Sequence, residues 1–317
     1  MGAFSSCTVA ISIGLVATIC AAPQQPAPAP QSRTQVVLLG TGTPPADPDR
    51  SGAATAVVVN GTPYLVDFGA GVVRRARSAA VEKGIAALEP VNVRVVFVTH
   101  LHSDHTVGYA DLILTPWVIG RRVPLEVYGP RGIKAMTGHV LEAYSADFET
   151  RQRDRGLYKG GAFPEGHAVN AHEIKAGIVY KDANVTVTAF ATKHAMESYG
   201  YRFDAADRNI VISGDTNPTP ATIDACRGCD VLIHEVLTHD WLSRRPDFHA
   251  YAAQHHTTTT QLIDLATKAK PRLLVLYHAS LSLRPVVDSE RSTPATLLRE
   301  MSPYAGHVVV GRDLDVY

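Results

Sequence analysis

The most constraining feature of this sequence is an apolar run that ends in a dense group of polar side chains. Residues 93–98 read VRVVFV, an almost uninterrupted apolar and β-branched run, which is typical of a strand buried inside a sheet. The segment THLHSDH, residues 99–105, follows at once. The chain is therefore expected to fold around a buried strand that delivers several polar groups to one end of a sheet.

Four of these polar groups are candidate metal ligands: His100, His102, Asp104 and His105. In an extended segment, residues at positions i and i+2 point to the same side, which places the first two imidazoles together. The turn after them brings Asp104 and His105 round to the same pocket. Neutral imidazole nitrogen and carboxylate oxygen are ligands that Zn²⁺ accepts. The spacing therefore predicts a zinc site.

Strands and helices alternate along the rest of the chain. Asn60-Gly61 predicts a hairpin between two apolar runs. Further strands are predicted at QVVLLG, PLEVYG, IVYKDANVTVTAF, NIVISGD, DVLIHEV and RLLVLYH, and helices at VRRARSAAVEKG, GIKAMTGHVLEAY and TTTTQLIDLATKAK. The polar segment DFETRQRDRGLYKGGAFPEGH is predicted to be a surface loop or a lid near a site. This pattern indicates an α/β protein with two sheets covered by helices.

Three further candidate ligands lie where apolar runs end. Asp215 follows NIVIS, His278 follows RLLVLY, and His194 comes soon after VTVTAFAT. Ligand sites of α/β sheets lie at the carboxyl ends of the strands. These residues are therefore expected to approach the same pocket as the THLHSDH segment.

The N-terminal segment resembles an export signal. Val9–Cys20 is a twelve-residue apolar run, which is shorter than the roughly 20 residues of a membrane-spanning helix. Small residues and the Pro-rich stretch PQQPAPAP follow it. We predict a signal peptide over 1–22 cleaved near Ala22, a linker over 23–34, one folded domain over 35–317, and a secreted or periplasmic protein without stable membrane insertion. A retained tail or interfacial anchor is the alternative.

Composition narrows the class of protein. Thirty basic and thirty acidic residues give a formal net charge of zero, and 45% of the residues are hydrophobic. The hydrophobic fraction excludes a disordered chain, and the neutral charge argues against an electrostatic nucleic-acid binder. Cys226 and Cys229 form a C-R-G-C motif. A local disulfide or two packed thiols is favoured over a redox pair, because no thioredoxin-like context surrounds them.

Several ordered motifs together resemble the metallo-β-lactamase fold superfamily, closest to its ribonuclease Z and arylsulfatase-like branch. The resemblance extends from Leu38 to Asp313. It rests on LGTGTP, YLVDFGAG, THLHSDH, GRRVPLEVYGP, HAMESYGYRF, SGDT and LLVLYHAS. It implies a four-layer αββα sandwich that holds two metal ions.

The resemblance also assigns residues to these ions. It implies that His100, His102 and His194 hold the first ion, that Asp104, His105 and His278 hold the second, and that Asp215 bridges them. Asp67 resembles a carboxylate that orients a ligand imidazole, although an aspartate that forms the turn before Gly69 is the alternative. Zinc is expected, while manganese or iron remains open.

Two further segments predict a proton donor for the leaving group. The segments His234-Glu235-Val236-Leu237 and His256-Thr257-Thr258 resemble ribonuclease Z segments in which a Glu and a His cooperate near the leaving group. An imidazole held by a carboxylate can protonate a departing oxygen. We expect a metal-bridging hydroxide as nucleophile, Asp104 to orient or deprotonate it, and Glu235 and His256 to supply the acid. His255 is the alternative imidazole.

The substrate is the least determined part. The ribonuclease Z arm that grips transfer RNA follows the Tyr-Gly-Tyr-Arg segment, but here Asp215 comes only thirteen residues after Arg202. We therefore expect a small-molecule phosphodiester or sulfate ester as substrate, no nucleic-acid partner, and a homodimer as an open possibility. Lactonase or β-lactamase activity is the alternative, and a transfer-RNA 3′ endonuclease is less favoured. A metal-binding or redox module would not need Asp215 or the Glu235–His256 pair.

Overall fold

The strands form two sheets, one from each half of the chain. The computed structural model describes residues 1–2, 33–154, 163–281 and 291–317. The first sheet has the order β1-β2-β3-β4-β5-β6, with antiparallel pairing up to β3 and parallel pairing from β3 to β6. Its strands are β1 (Thr34–Gly40), β2 (Ala54–Val59), β3 (Thr62–Val66), β4 (Val95–Phe97), β5 (Leu125–Gly129) and β6 (Val169–Glu173).

The second sheet repeats this arrangement with seven strands, in the order β13-β12-β11-β10-β9-β8-β7. Strands β7 to β10 pair antiparallel, and β10 to β13 pair parallel. They are β7 (Gly177–Lys181), β8 (Val185–Ala191), β9 (Tyr199–Ala205), β10 (Asn209–Ile212), β11 (Val231–Glu235), β12 (Leu273–Tyr277) and β13 (Val308–Val310).

The helices lie between and after the strands. They are α1 (Val72–Glu82), α2 (Ser103–Thr106), α3 (Tyr109–Val118), α4 (Ile133–Ala143), α5 (Ser145–Arg153), α6 (Pro220–Cys226), α7 (His239–Ser243), α8 (His249–His255), α9 (Thr259–Ala269) and α10 (Pro294–Glu300). Among the described residues, no helix is both long and apolar enough to cross a membrane.

Burial on both faces of each sheet produces four layers. In β1, Val36 and Leu38 pack into the core between the sheets, whereas Val37 and Leu39 pack into the core under α1, α3 and α4. A third core joins the outer face of the second sheet to α6, α9 and α10. Because side chains alternate between strand faces, a continuous apolar run fills two layers at once. The predicted αββα sandwich is confirmed.

Local structure agrees with the sequence at the first hairpin and differs at two other places. Asn60 and Gly61 have φ of 49° and 77°, the left-handed values that a tight two-residue hairpin turn needs. The single strand predicted over 178–190 is two strands, because the Asp182 carboxylate accepts hydrogen bonds from the Asn184 and Val185 backbone amides and forms a turn. The loop predicted over 147–167 begins as helix α5.

Some predictions fall on residues outside the described ranges. The predicted signal peptide and most of the linker lie within 3–32, and part of the predicted loop lies within 155–162. The described residues from 33 onwards belong to one compact unit. Within it, Cys226 and Cys229 form a disulfide at the end of α6, in agreement with the local staple favoured from the sequence.

The carboxyl ends of the central parallel strands carry the predicted site residues. Asp67 follows β3 and the THLHSDH segment follows β4 in the first sheet. In the second sheet, Asp215 follows β10, Glu235 ends β11, and His278 follows β12. Parallel strands present their carboxyl ends at a common sheet edge, so the topology collects these side chains from distant parts of the sequence.

Helix α9 begins directly after His256 and Thr257 with a capping box. The Thr258 hydroxyl accepts a hydrogen bond from the Gln261 amide, and the Gln261 side chain accepts one from the Thr258 amide. We expect Thr258→Ala to lower the free energy of unfolding by about 1 kcal/mol, as measured by urea denaturation. Thr267→Ala, on the exposed part of the same helix, is the matched control and should change it by less than about 0.5 kcal/mol. Equal effects would contradict the capping role.

Candidate metal centre

Three histidines from two elements meet at one point. Nε2 of His100 lies 3.0 Å from Nδ1 of His102, and Nε2 of His194 lies 3.1 Å from that same Nδ1. In His194 and His100 the second ring nitrogen, Nδ1, already has a hydrogen-bond partner. Nδ1 of His194 donates to the His255 carbonyl at 2.9 Å, and Nδ1 of His100 lies 3.0 Å from the Thr99 hydroxyl oxygen.

A second group lies beside the first. Nε2 of His105 and Nε2 of His278 are 3.4 Å apart. The Asp215 carboxylate lies 3.4 Å from the first of these nitrogens and 3.3 Å from the second, and Asp104 lies 3.8 Å and 3.4 Å from them. Nδ1 of His278 donates to the Gly42 carbonyl at 2.7 Å.

The donor set fits divalent cations. With Nδ1 of His105, His194 and His278 each bonded to an oxygen, Nε2 of each ring carries a lone pair that points into the cluster. Lone pairs and carboxylates that face one another across 3–4 Å repel unless a cation lies among them. Buried Oδ1 of Asp215 makes no hydrogen bond to any described residue. Imidazole nitrogens and carboxylate oxygens are suitable ligands for zinc, and also for iron or manganese.

Asp67 lies behind the candidate ligands and fixes the orientation of His105. Its carboxylate accepts hydrogen bonds from Nδ1 of His105 and from the amide and hydroxyl of Thr99, at 2.7 to 2.8 Å. Its backbone has φ of 60°, and that of His278 has φ of 46°. Non-glycine residues adopt such values at a cost of about 1–3 kcal/mol, and they cluster at functional sites. The carboxylate thus orients an imidazole rather than merely forming a turn.

Burial and charge set the protonation of these rings. Burial lowers the pKa of His100 well below its usual value, and it lowers the pKa of His194 to about 4. Both rings are therefore neutral, as metal ligands must be. Burial also lowers the pKa of His105, but Asp215 and Asp67 outweigh this effect and hold it well above its usual value. A proton or a metal cation is thus favoured beside that ring.

Glu235 and His256 form a hydrogen-bonded pair next to this cluster. Nδ1 of His256 lies 3.1 Å from Oε1 of Glu235, which also accepts the backbone amides of Thr216 and Thr257. Burial raises the pKa of Glu235, and His256 together with the hydrogen bonds to this oxygen opposes that rise and favours the ionised carboxylate. Burial lowers the pKa of His256, but Glu235 outweighs it and raises this pKa to about 9. The backbone carbonyl of His255 accepts the hydrogen bond from His194, and its ring packs against Tyr251. The imidazole that pairs with Glu235 is therefore that of His256, not the alternative His255.

A cavity of about 410 Å³ opens over the cluster. Its walls include ligand candidates, His256, and a group of large side chains that the sequence analysis did not single out. The candidate ligands in the wall are His102, Asp104, Asp215 and His278. The large side chains come from the segment between β11 and α9 and are Leu237, Trp241, Arg245, Phe248 and Tyr251. The only sequence signal for these large side chains is that Trp241, Phe248 and Tyr251 lie within a stretch rich in polar and charged residues.

Comparison with known proteins agrees with this geometry. A family model described as a beta-lactamase superfamily domain matches residues 62–279, the part that carries every candidate ligand. The chain belongs to the metallo-β-lactamase superfamily. Proteins of this superfamily usually bind two metal ions, typically zinc, and the two ligand groups described above are candidates for holding them. This chain is accordingly a ribonuclease Z-like hydrolase of the superfamily.

A curated relative and two solved structures extend the comparison. The chain is 30% identical over 287 residues to ribonuclease Z of Mycobacterium bovis (strain BCG / Pasteur 1173P2), covering 88% of this chain and 96% of that protein. It is 21% identical to human tRNase Z, short form, with a TM-score of 0.64 and coverage of 89% and 98%. It is 17% identical to the metallo-β-lactamase fold protein YhfI from Bacillus subtilis, also with a TM-score of 0.64, covering 90% and 99%. The two structures support the superfamily fold.

The substrate prediction was wrong. Ribonuclease Z relatives at 30–32% identity over most of the chain point to a nucleic-acid hydrolase. They overturn the small-molecule ester, its lactonase or β-lactamase alternative, and the exclusion of a nucleic-acid partner. The structure does join β9 to β10 by a short hairpin, with Asp204 opposite Asn209. The chain nevertheless matches 96% of the Mycobacterium bovis ribonuclease Z.

The charge argument failed for a physical reason. A formal net charge of zero counts side chains over the whole chain, whereas a phosphate is bound at one place. Two divalent cations in this superfamily site would add four positive charges there, and the side-chain count omits them. Neutral composition therefore does not exclude a nucleic-acid substrate for a metal-dependent hydrolase.

Proposed function

We propose that the protein is a metal-dependent ribonuclease that hydrolyses phosphodiester bonds of RNA. The observation that carries this proposal is its likeness to ribonuclease Z over 88% of the chain. Two clusters support it, one of His100, His102 and His194 and one of Asp104, His105 and His278, together with Asp215, which lies close to His100, His105, His194 and His278. We assign these residues as ligands of two ions, with zinc as the expected metal.

The metal centre and the residues around it have separate tasks. Two bound zinc ions supply Lewis acidity, which lowers the pKa of a water molecule and offsets charge that develops on the phosphate. Asp104 has the more exposed carboxylate, with 13% of its side chain accessible against 5% for Asp215. It lines the cavity, where it can accept a hydrogen bond from the attacking water and orient it. The more buried Asp215 is assigned to metal binding alone.

His256 acts on the leaving group. The water oxygen bonds to phosphorus as one of its protons passes to the Asp104 carboxylate, the bond from phosphorus to a ribose oxygen breaks, and that oxygen takes the electron pair. Nε2 of His256 gives its proton to this oxygen, because Nδ1 is already bonded to Glu235. Glu235 fixes the ring and stabilises its charged form. The products are a phosphate monoester and an alcohol.

The test is cleavage of defined RNA by purified, zinc-loaded protein. A transfer-RNA precursor with a 3′ extension and an unstructured RNA of equal length are incubated separately, and the product ends are mapped by sequencing and phosphatase sensitivity. Cleavage that leaves one phosphate monoester and one hydroxyl end supports the proposal, and preference for the precursor would indicate ribonuclease Z-like specificity. Absence of cleavage of both RNAs by protein with two equivalents of zinc would overturn it.

Export through residues 1–22 is a separate proposal. It is supported by the apolar run Val9–Cys20 and by the Cys226–Cys229 disulfide, because disulfides persist mainly in oxidising compartments. The test is the N-terminal sequence of protein recovered from outside the cytoplasm of the producing cell. A mature chain that starts near Pro23 supports export, and an intact N-terminus on intracellular protein contradicts it.

A further inference from the structure

A group of aromatic side chains lines the cavity beside the metal ligands. Trp241 belongs to α7, Phe248 ends the turn after it, and Tyr251 belongs to α8. We call these three residues the aromatic wall. All three line the cavity that also contains Asp104 and Asp215, and none of them has a part in the chemistry proposed above.

The aromatic wall is held by contacts within its own segment. The ring of Phe248 lies 5.2 Å from that of Trp241 and 5.1 Å from that of Tyr251, with interplanar angles of 74° and 44°. Trp241 and Phe248 pack with Leu237, Leu242 and Ala252 in a small cluster distinct from the three main cores. The rings therefore pack against one another in a cluster of their own. Phe248 and Tyr251 remain only half-buried, which leaves aromatic surface available in the cavity.

The aromatic wall lies on the same side of the cavity as His256. The His256 ring is 5.7 Å from the Tyr251 ring and 6.0 Å from the Phe248 ring. Because His256 protonates the departing oxygen in the proposed function, the group that carries that oxygen must lie next to it. In RNA, that group is a nucleoside, and its base is the flat aromatic part nearest to the wall.

We propose that Phe248 and Tyr251 bind the base of the leaving-group nucleotide by stacking, and that Trp241 supports Phe248 from behind. Aromatic side chains hold unpaired RNA bases in this way, largely without regard to base identity. The inference rests on the proposed ribonuclease function and adds a substrate requirement to it. The nucleotide on the leaving-group side must be unpaired, since a base within a duplex cannot reach a protein ring.

The test is a double-mutant cycle between the base and the ring. The RNA cleaved by the wild-type protein is prepared with an abasic ribose on the leaving-group side of the mapped cleavage site, or on the opposite side. Each RNA is assayed with the wild type and with Phe248→Leu, which keeps an apolar side chain against Trp241. Tyr144→Leu is the matched control, because Tyr144 is an exposed aromatic residue at the C-terminal end of α4 and does not line the cavity.

Removal of the leaving-group base should raise KM of the wild type by about fivefold or more, with little change in kcat, because stacking stabilises the bound substrate and the transition state alike. Removal of the same base should raise KM of Phe248→Leu by a clearly smaller factor. It should raise KM of Tyr144→Leu by the same factor as in the wild type. A fluorescent 2-aminopurine base at that position should be quenched on binding to the wild type and less so with Phe248→Leu.

The outcomes separate the two proposals. If base removal raised KM by the same factor in the wild type and in Phe248→Leu, the stacking inference would be overturned, whereas the proposed RNA cleavage would not be affected. Coupling of Phe248 to the base on the opposite side would also overturn it, since it would place the aromatic wall away from the leaving group. Failure of the wild type to cleave any RNA would instead overturn the proposed function, and the inference with it.

Discussion

Replacing Asp215 by Asn is expected to lower kcat/KM on RNA by about 10³-fold or more and to lower the bound metal below two equivalents per chain. The Asp215 carboxylate lies within reach of both ligand groups, since it clusters with His100 and His105 on one side and with His194 and His256 on the other. The amide of Asn has the same shape but no negative charge, and its nitrogen would face lone pairs. Loss of Lewis-acid catalysis is worth several kcal/mol in such enzymes.

Two measurements check this expectation together: steady-state kinetics on the cleaved RNA and elemental analysis of dialysed protein. Asp224→Asn is the matched control, because Asp224 is an exposed aspartate on α6 that pairs with Arg227; it should change neither quantity. Circular dichroism establishes that both variants are folded. Wild-type protein with full activity at one equivalent of metal would contradict the binuclear assignment, as would an Asp215→Asn variant with full activity.

Much of the fold could be predicted because its strands are buried on both faces. Continuous apolar runs such as residues 93–98 indicate buried strands whatever their partners, and strand-helix alternation gives the layers. The convergence of the candidate ligands was predictable for a related reason. His100 to His105 are contiguous, and Asp215 and His278 lie directly after apolar runs, where a parallel sheet brings side chains together.

The aromatic wall could not be predicted because no periodic pattern carries it. Trp241, Phe248 and Tyr251 come from two short helices and the turn between them, so their side chains meet only through tertiary packing. The left-handed backbone of Asp67 and His278 is likewise imposed by the contacts around the cluster. The substrate was mispredicted because net charge averages over the whole chain, whereas substrate recognition depends on one cavity.

Replacing His256 by Ala is expected to lower kcat on RNA by about 10²- to 10⁴-fold, the usual contribution of a general acid. The ribose oxygen of RNA departs as a strongly basic alkoxide and needs a proton. The nitrophenolate of bis(4-nitrophenyl) phosphate departs without one, so kcat on this diester should fall much less. The comparison of the two substrates with the same variant separates proton donation from damage to the metal site. Equal losses on both substrates would argue that the ring is structural.

Glu235→Gln tests the same pair through pH dependence. His256 must be protonated to act as an acid, so activity on RNA is lost as the pH rises through its pKa, which Glu235 raises to about 9. Gln keeps an acceptor for Nδ1 but removes the charge that stabilises the imidazolium. The alkaline limb of kcat should therefore move to lower pH in Glu235→Gln, towards the ordinary histidine value of 6.5, and the variant should retain more activity in acid than at pH 8. An alkaline limb that does not move would show that the limb reports another group, and that Glu235 does not set the protonation of His256.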